Sequence, residues 1–261
     1  MKFIQSRLGM GPHILISALL GFVSLAFQMP QPAHAGRFIA LLEAETLEPG
    51  VGEVIQVGNW QREKIGEDEI SAISMQVGME FGLASRLHVG MALPAFSDLR
   101  STNIRNTRFG GMSMWGIYNF SNPSDQNLGV SGGMMMTECE ENLVMELNLI
   151  LEKSWDPFVL VMNLTAGHCW VREVDADDHV FLTSRLGISR DIGQSVSLGL
   201  ESEVILEPGG QLNDNISGIK MGPSVVWNGK SLWVLGGLLF DMHSGSDLMG
   251  PSLQLQAGIP F

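Results

Sequence analysis

Ile73-Ser74-Met75-Gln76-Val77-Gly78-Met79-Glu80-Phe81-Gly82 carries an apolar side chain at every odd position and a small or polar one at every even position. Successive side chains of a β-strand point to opposite faces, so this stretch reads as a strand with one apolar and one polar face. After a turn at Ala84-Ser85-Arg86 the pattern repeats, with Leu87, Val89, Met91 and Leu93 against His88, Gly90 and Ala92. It returns as Leu128, Val130, Met134 and Met136 against Gly129, Ser131 and Gly133, then as Leu143, Met145, Leu147, Leu149 and Leu151 against Glu146, Asn148 and Glu152. Val196, Leu198, Leu200 and Val204 oppose Ser197, Gly199, Glu201 and Glu203, and Leu253, Leu255, Ala257, Ile259 and Phe261 oppose Gln254, Gln256 and Gly258.

Working outward, weaker strands fill 53–62, 110–120, 158–170, 179–189, 219–227 and 232–242, which brings the count to twelve. Tight links at 83–86, 155–157, 190–194 and 228–231 alternate with longer polar ones at 63–70, 97–109, 137–142, 171–178, 207–216 and 243–251. An even number of strands, about 9–11 residues each, joined alternately by short turns and longer loops, is the pattern of a transmembrane β-barrel. The link at 121–126 is long for a periplasmic turn. The predicted fold class is therefore all-β, an antiparallel transmembrane barrel of about twelve strands. Phe158 and Trp170 share a face at opposite ends of one strand, as the two interfacial aromatic girdles require, and Trp60, Trp155 and Trp227 also sit near strand ends.

The N-terminus predicts the compartment. Lys2 and Arg7 precede an apolar run from Ile14 to Phe27, and Ala33-His34-Ala35 fits a small-residue cleavage site. Residues 1–35 thus read as a signal peptide and 36–261 as the barrel; a retained anchor is the alternative, but the run falls short of the roughly 20 residues a spanning helix needs. Beyond it the chain has 13 basic and 28 acidic side chains, a formal charge near −15. That balance argues against nucleic acid as a partner. Charged residues make up only 16% of the chain, and apolarity spread over alternate positions lets an exported chain be this hydrophobic without a membrane helix.

The polar face would line the lumen. Its candidates are Gln76, Glu80, His88, Glu146, Asn148, Glu152, Asn163, Arg185, Glu201, Glu203, Lys220, Gln254 and Gln256. Acids outnumber bases among them, so the expectation is a polar, cation-leaning lumen in which Arg185 and Lys220 face Glu201 and Glu203. The same charges could instead form a salt-bridged plug, since twelve strands fall between filled and open barrels. Cys139 and Cys169 in an exported chain could form one disulfide, or remain two buried thiols. The acidic runs Glu138, Glu140, Glu141 and Glu173, Asp175, Asp177, Asp178, followed by His179, read as solvated faces because their spacing matches no cation loop. Asp241, His243 and Ser244 nominally supply a hydrolase, but adjacent His and Ser in a strand point to opposite faces. No phosphate loop, dinucleotide fingerprint or zinc spacing occurs, so neither a cofactor nor an enzyme is expected.

The C-terminal strand ending in Phe261 resembles the signal read by the outer-membrane assembly machinery, which would make that machinery and outer-membrane lipid the partners. Leu47-Glu48-Pro49-Gly50 with Glu53 and Trp60, Glu80-Phe81-Gly82-Leu83 with Arg86-Leu87-His88-Val89-Gly90, and Leu198-Gly199-Leu200-Glu201 resemble outer-membrane channels associated with the meta-pathway of phenol degradation. The resemblance implies a channel for small hydrophobic or aromatic solutes and supplies no mapped site. The chain departs from it in having a single tyrosine, Tyr118, and 16 methionines. A structural or adhesion barrel without transport is the alternative function.

Overall fold

The computed structural model describes residues 36–38, 41–44, 46–65, 68–93, 96–100, 105–109, 111–122, 128–139, 142–172, 178–207, 216–244 and 249–261. The expected signal peptide, 1–35, lies outside the described residues. The strand segments are β1 (Gly52–Ile65), β2 (Asp68–Ala84), β3 (Leu87–Ala92), β4 (Phe96–Arg100), β5 (Arg105–Phe109), β6 (Met112–Ser121) and β7 (Gly129–Glu138). They continue with β8 (Asn142–Trp155), β9 (Phe158–Val171), β10 (His179–Ile192), β11 (Val196–Leu206), β12 (Ile216–Asn228), β13 (Trp233–Ser244) and β14 (Met249–Pro260).

These fourteen segments make twelve barrel strands. β3 and β4 pair successively with the same edge of β2, while β6 pairs with β3 and β5 with β4, so β3–β4 and β5–β6 are each one strand across a break. All pairings are antiparallel, and β1 pairs with both β2 and β14, which closes the sheet. The two chain ends meet at this seam: the Gly52 N–H donates to the Phe261 carbonyl at 3.0 Å, and the Phe261 N–H returns to Gly52 at 2.8 Å. Phe261 also packs edge-on against Phe81, ring centroids 5.5 Å apart.

The twelve-strand barrel read from periodicity is the observed one, with two corrections at the loop end. Residues 97–109, expected as the longest loop, are largely the hairpin of β4 and β5, and the 63–70 link is mostly strand, because β1 and β2 pair from Ile65↔Asp68 downward. β2 is 17 residues long, more than the roughly 9–11 that cross hydrocarbon. Pairing beyond the bilayer needs no apolar alternation, so this part carried no signal. At the opposite end the β2–β3, β8–β9, β10–β11 and β12–β13 turns are short; Gly193 holds the β10–β11 turn with φ +73°, a conformation that a side chain disfavours.

Alternation sends the large apolar side chains outward. Leu147 and Met242 are 62% exposed, and Leu83, Phe120, Leu198, Leu200 and Leu255 are similarly bare. A continuous apolar exterior of this kind is untenable in water and is what hydrocarbon selects. Phe158 and Trp170 lie on this exterior at the two ends of β9, and Trp155 and Trp227 are exposed near the short-turn end. A one-residue slip of any strand would exchange the two faces, so the bilayer itself fixes the register. Leu147→Arg, near the middle of β8, should therefore lower stability in lipid vesicles by about 2–4 kcal/mol. Urea titration of the vesicle-folded protein measures this, and a cost no larger than that of Leu147→Ala would mean the face is not in hydrocarbon.

Candidate functional site

The enclosed lumen is the concave site of this fold. Register puts all thirteen candidate residues on the strand face opposite the bare apolar one. His88, Asn148, Glu152, Asn163, Glu201 and Glu203 are buried, and Gln76, Glu80, Glu146, Arg185, Lys220, Gln254 and Gln256 are half-buried. Arg185 Nε donates to Glu203 Oε2 at 2.5 Å across β10 and β11. Glu203 stands opposite Lys220, and Lys220 opposite Asp241. Charges thus alternate along the wall from β10 to β13. Glu201 lies opposite Gly187 and Gly222, one inward position along from the Arg185–Glu203–Lys220 row and diagonal to both bases.

The inner face is less polar than the sequence implied. Val226, Trp233, Leu235 and Leu239 form a buried cluster with Ile55 against it, on the arc from β12 through β13 to β1. A second cluster joins Ile117, Ile150, Val159 and Val161 of the wall to Phe38, Leu41 and Ala44 of the segment before β1. The sequence signal for these was faint but present: Phe158–Met162 is apolar at every position, as a strand buried on both faces is.

That N-terminal segment is the feature periodicity could not find. It folds into the barrel and runs along the inner wall as a belt. Above Gly82 of β2 it packs closely through Leu47 and Glu48, where a Cβ on Gly82 would collide with its backbone. The Ala44 carbonyl accepts from Asn119 Nδ2 of β6 at 2.5 Å and from Ser131 Oγ of β7 at 2.7 Å, and the Ala44 N–H donates to Glu152 of β8 at 3.0 Å. Asn163 of β9 grips Leu42 at both ends, accepting its N–H at 2.7 Å and donating to its carbonyl at 2.9 Å. Phe38 and Leu41 lie over Gly187 of β10, and Arg37 reaches Asp191, Nε to Oδ1 3.6 Å. Buried carboxamides and hydroxyls need partners, and here a strand-like backbone supplies them.

On the seam side the wall carries two tryptophan–glutamate pairs. Trp115 of β6 lies over Gly90 of β3 and donates its indole N–H to Glu80 of β2 at 3.0 Å. Trp233 of β13 lies over Gly258 of β14 and donates to Glu53 of β1. Glu53 and Glu80 are themselves opposite each other in the β1–β2 pair. Glycine at 90 and 258 is required by the indole planes, which occupy the space a Cβ would take. Neither tryptophan was singled out by sequence, because an aromatic in a strand reads first as girdle, and Glu53 stood out only within the resemblance to a family.

The remaining candidates lie apart from this site. Cys139 and Cys169 are free thiols: Cys139 follows β7, Cys169 lies on β9, and β8 runs between them. Glu138 pairs with the exposed Arg172 at 2.8 Å, and Asp178 accepts from the Val171 N–H at 2.9 Å; Glu140, Glu141, Glu173, Asp175 and Asp177 lie outside the described residues. Asp241 belongs to the wall, and the side chains of His243 and Ser244 lie outside the described set. Among the described residues no three of His, Cys, Asp and Glu gather to hold a metal ion.

No family model matches the chain, and no curated protein does. Solved structures do match in fold. An outer-membrane channel from Pseudomonas putida F1 superposes with a TM-score of 0.70 at 10% identity, over 86% of this chain and 100% of its own. The NanC porin gives 0.57 at 7% identity over 79% and 98%, and the translocator domain of the autotransporter NalP from Neisseria meningitidis gives 0.52 at 10% over 95% and 96%. The chain thus has the fold of twelve-stranded outer-membrane β-barrels, and its apolar exterior places it in a bilayer.

Asn163→Ala leaves both polar groups of Leu42 without their bond. At about 1 kcal/mol each, the loss should speed amide exchange of Leu42 by roughly thirtyfold while wall amides of β9 keep their rates. Hydrogen exchange read by mass spectrometry checks this; an unchanged Leu42 would mean that the belt is held elsewhere.

Proposed function

We propose that the barrel is a channel for small solutes across the outer membrane, favouring those with an apolar or aromatic body. The observation that carries this reading is the two-sided lumen wall. One arc carries charged groups, Glu146, Arg185, Glu203, Lys220 and Asp241, and another carries the packed apolar cluster of Val226, Trp233 and Leu235 with Ile55 against it. Arg185 pairs with Glu203 along the wall, on adjacent strands. Paired in this way, they line a passage instead of filling it. The belt of residues 37–38, 41–44 and 46–48 occupies part of the cross-section and keeps the passage narrow, which suits small solutes. The fold likeness to the Pseudomonas putida F1 channel and to porins agrees with transport and leaves the solute open. An adhesion role finds no favouring feature in the described residues.

Planar-bilayer recording on the refolded, heat-modifiable protein tests the reading. Small discrete conductance steps are expected, with reversal potentials in a salt gradient favouring cations, because acids outnumber bases on the inner face. Heat-modifiable protein that leaves the bilayer silent would overturn the channel.

A further inference from the structure

Four exposed cations stand at the short-turn end: Arg86 in the β2–β3 turn, Lys153 on β8, Arg190 on β10 and Lys230 in the β12–β13 turn. Among the described residues none of them has a carboxylate partner, although the chain as a whole is acidic. Lys153 and Arg190 belong to the wall itself, on its bare outer face. Lys153 is opposite Leu160 of β9, which is opposite Ile188, and Arg190 is opposite Phe158, which is opposite Trp155. The two cations therefore flank β9 at successive outward positions. The Arg190 guanidinium carbon lies 5.6 Å from the centre of the Phe158 ring, and that ring lies 6.2 Å from Trp155. Contact through a ring face uses none of the guanidinium N–H donors. Of the acids beside them in sequence, Asp191 is taken by Arg37 and Ser197, and Asp156 pairs with neither cation.

The same three strands carry a hollow farther into the bilayer. Its volume is about 520 Å³, and its lining includes Leu147 and Leu149 of β8, Leu164 and Ala166 of β9, and Leu182 and Ser184 of β10. All six belong to the outer face, where Ala166 and Ser184 are small and the leucines stand around them. Lys153 and Leu147 are six residues apart on β8, about 20 Å along the strand. At a strand tilt of roughly 40° this is about 15 Å of depth, half of the hydrocarbon core. An acyl chain anchored beside Lys153 thus ends at the hollow. Hydrocarbon left out of such a space would forfeit the dispersion contacts of its walls.

We propose that the outer face of β8–β10 binds one anionic phospholipid of the leaflet at the short-turn end. Its phosphate lies between Lys153 and Arg190, its ester region against Trp155 and Phe158, and one acyl chain runs to the hollow at Ala166 and Ser184. Cations at a bilayer interface attract anionic head groups, and aromatic rings settle at the same level. The long stems of lysine and arginine let both heads reach one phosphate from either side of β9. A zwitterionic lipid brings its own cation, which two unpaired cations repel. Free phosphate would leave the apolar half of the surface uncovered. The site lies on the outside of the barrel and does not depend on what the lumen carries.

Phosphatidylglycerol and phosphatidylcholine with identical acyl chains differ only in the head group, so they serve as probe and control. They are offered in equal amounts to the detergent-solubilised barrel, and bound lipid is counted by native mass spectrometry. Phosphatidylglycerol is expected in about tenfold excess. Lys153→Gln/Arg190→Gln should bring the two lipids to parity. Arg86→Gln/Lys230→Gln removes the same charge from the same rim and should keep the excess. Ala166→Phe fills the hollow; it should weaken retention of both lipids and leave their ratio unchanged. Heat-modifiable mobility verifies the fold of each variant. Equal retention by the unmutated protein overturns the proposal. So does an excess that survives the loss of Lys153 and Arg190, or one that falls alike in both double variants. Retention untouched by Ala166→Phe overturns the placement of the acyl chain.

Discussion

Everything in this molecule depends on closing the sheet. Hydrocarbon offers no partner to a backbone N–H or C=O, so a strand that crosses it must be paired on both edges. The β1–β14 ladder, ending in the reciprocal bonds between Gly52 and Phe261, removes the last two edges. Once the ring is closed, the number of strands and their register set the lumen, and side chains are left to solve only local problems. That is why one face can be almost uniformly leucine, methionine and valine while the other mixes glutamate, glycine, tryptophan and asparagine.

Closure also explains how an interior with so many buried polar groups is tolerated. A soluble core of this composition would lose stability to each unpaired group. Here the outer face and the ladder hold the fold, and the inner face is free to serve other ends. The glycines on the inner wall show the trade: Gly82 and Gly187 make room for the belt, Gly90 and Gly258 for the two indoles. Each gives up side-chain packing so that something else can lie against the backbone.

How much of this could be read in the sequence follows the same division. The strands crossing hydrocarbon were legible because the bilayer demands apolar residues at every second position, as in Ile73–Phe81 and Leu143–Leu151. The β4–β5 hairpin was not, since Ser97, Asp98 and Arg100 pair beyond the apolar band, where no alternation is enforced. Inner polar positions could be placed by parity alone. Inner apolar positions could not: Val161 and Trp233 are the same letters that would serve on the lipid face, and only register tells which way they point. The belt was hidden altogether, because Arg37, Phe38, Leu41 and Ala44 show none of the two-residue alternation that marks the wall strands, and the belt's partners Asn119, Ser131, Glu152 and Asn163 are about 75 to 120 residues away.

The belt in turn gives the seam its meaning. Among the described residues, the side chains that bond its backbone lie on β6 through β12, and on that arc Asn119, Ser131, Glu152 and Asn163 are saturated by it. On the arc from β13 through β1 to β3 the wall is just as polar, yet Glu53, Glu80 and His88 have only two indole donors among them. Among the described residues the wall is therefore divided into a side whose polar side chains bond the belt and a side whose acids bond the two indoles, while the belt still covers Gly82 of β2 at the border between them.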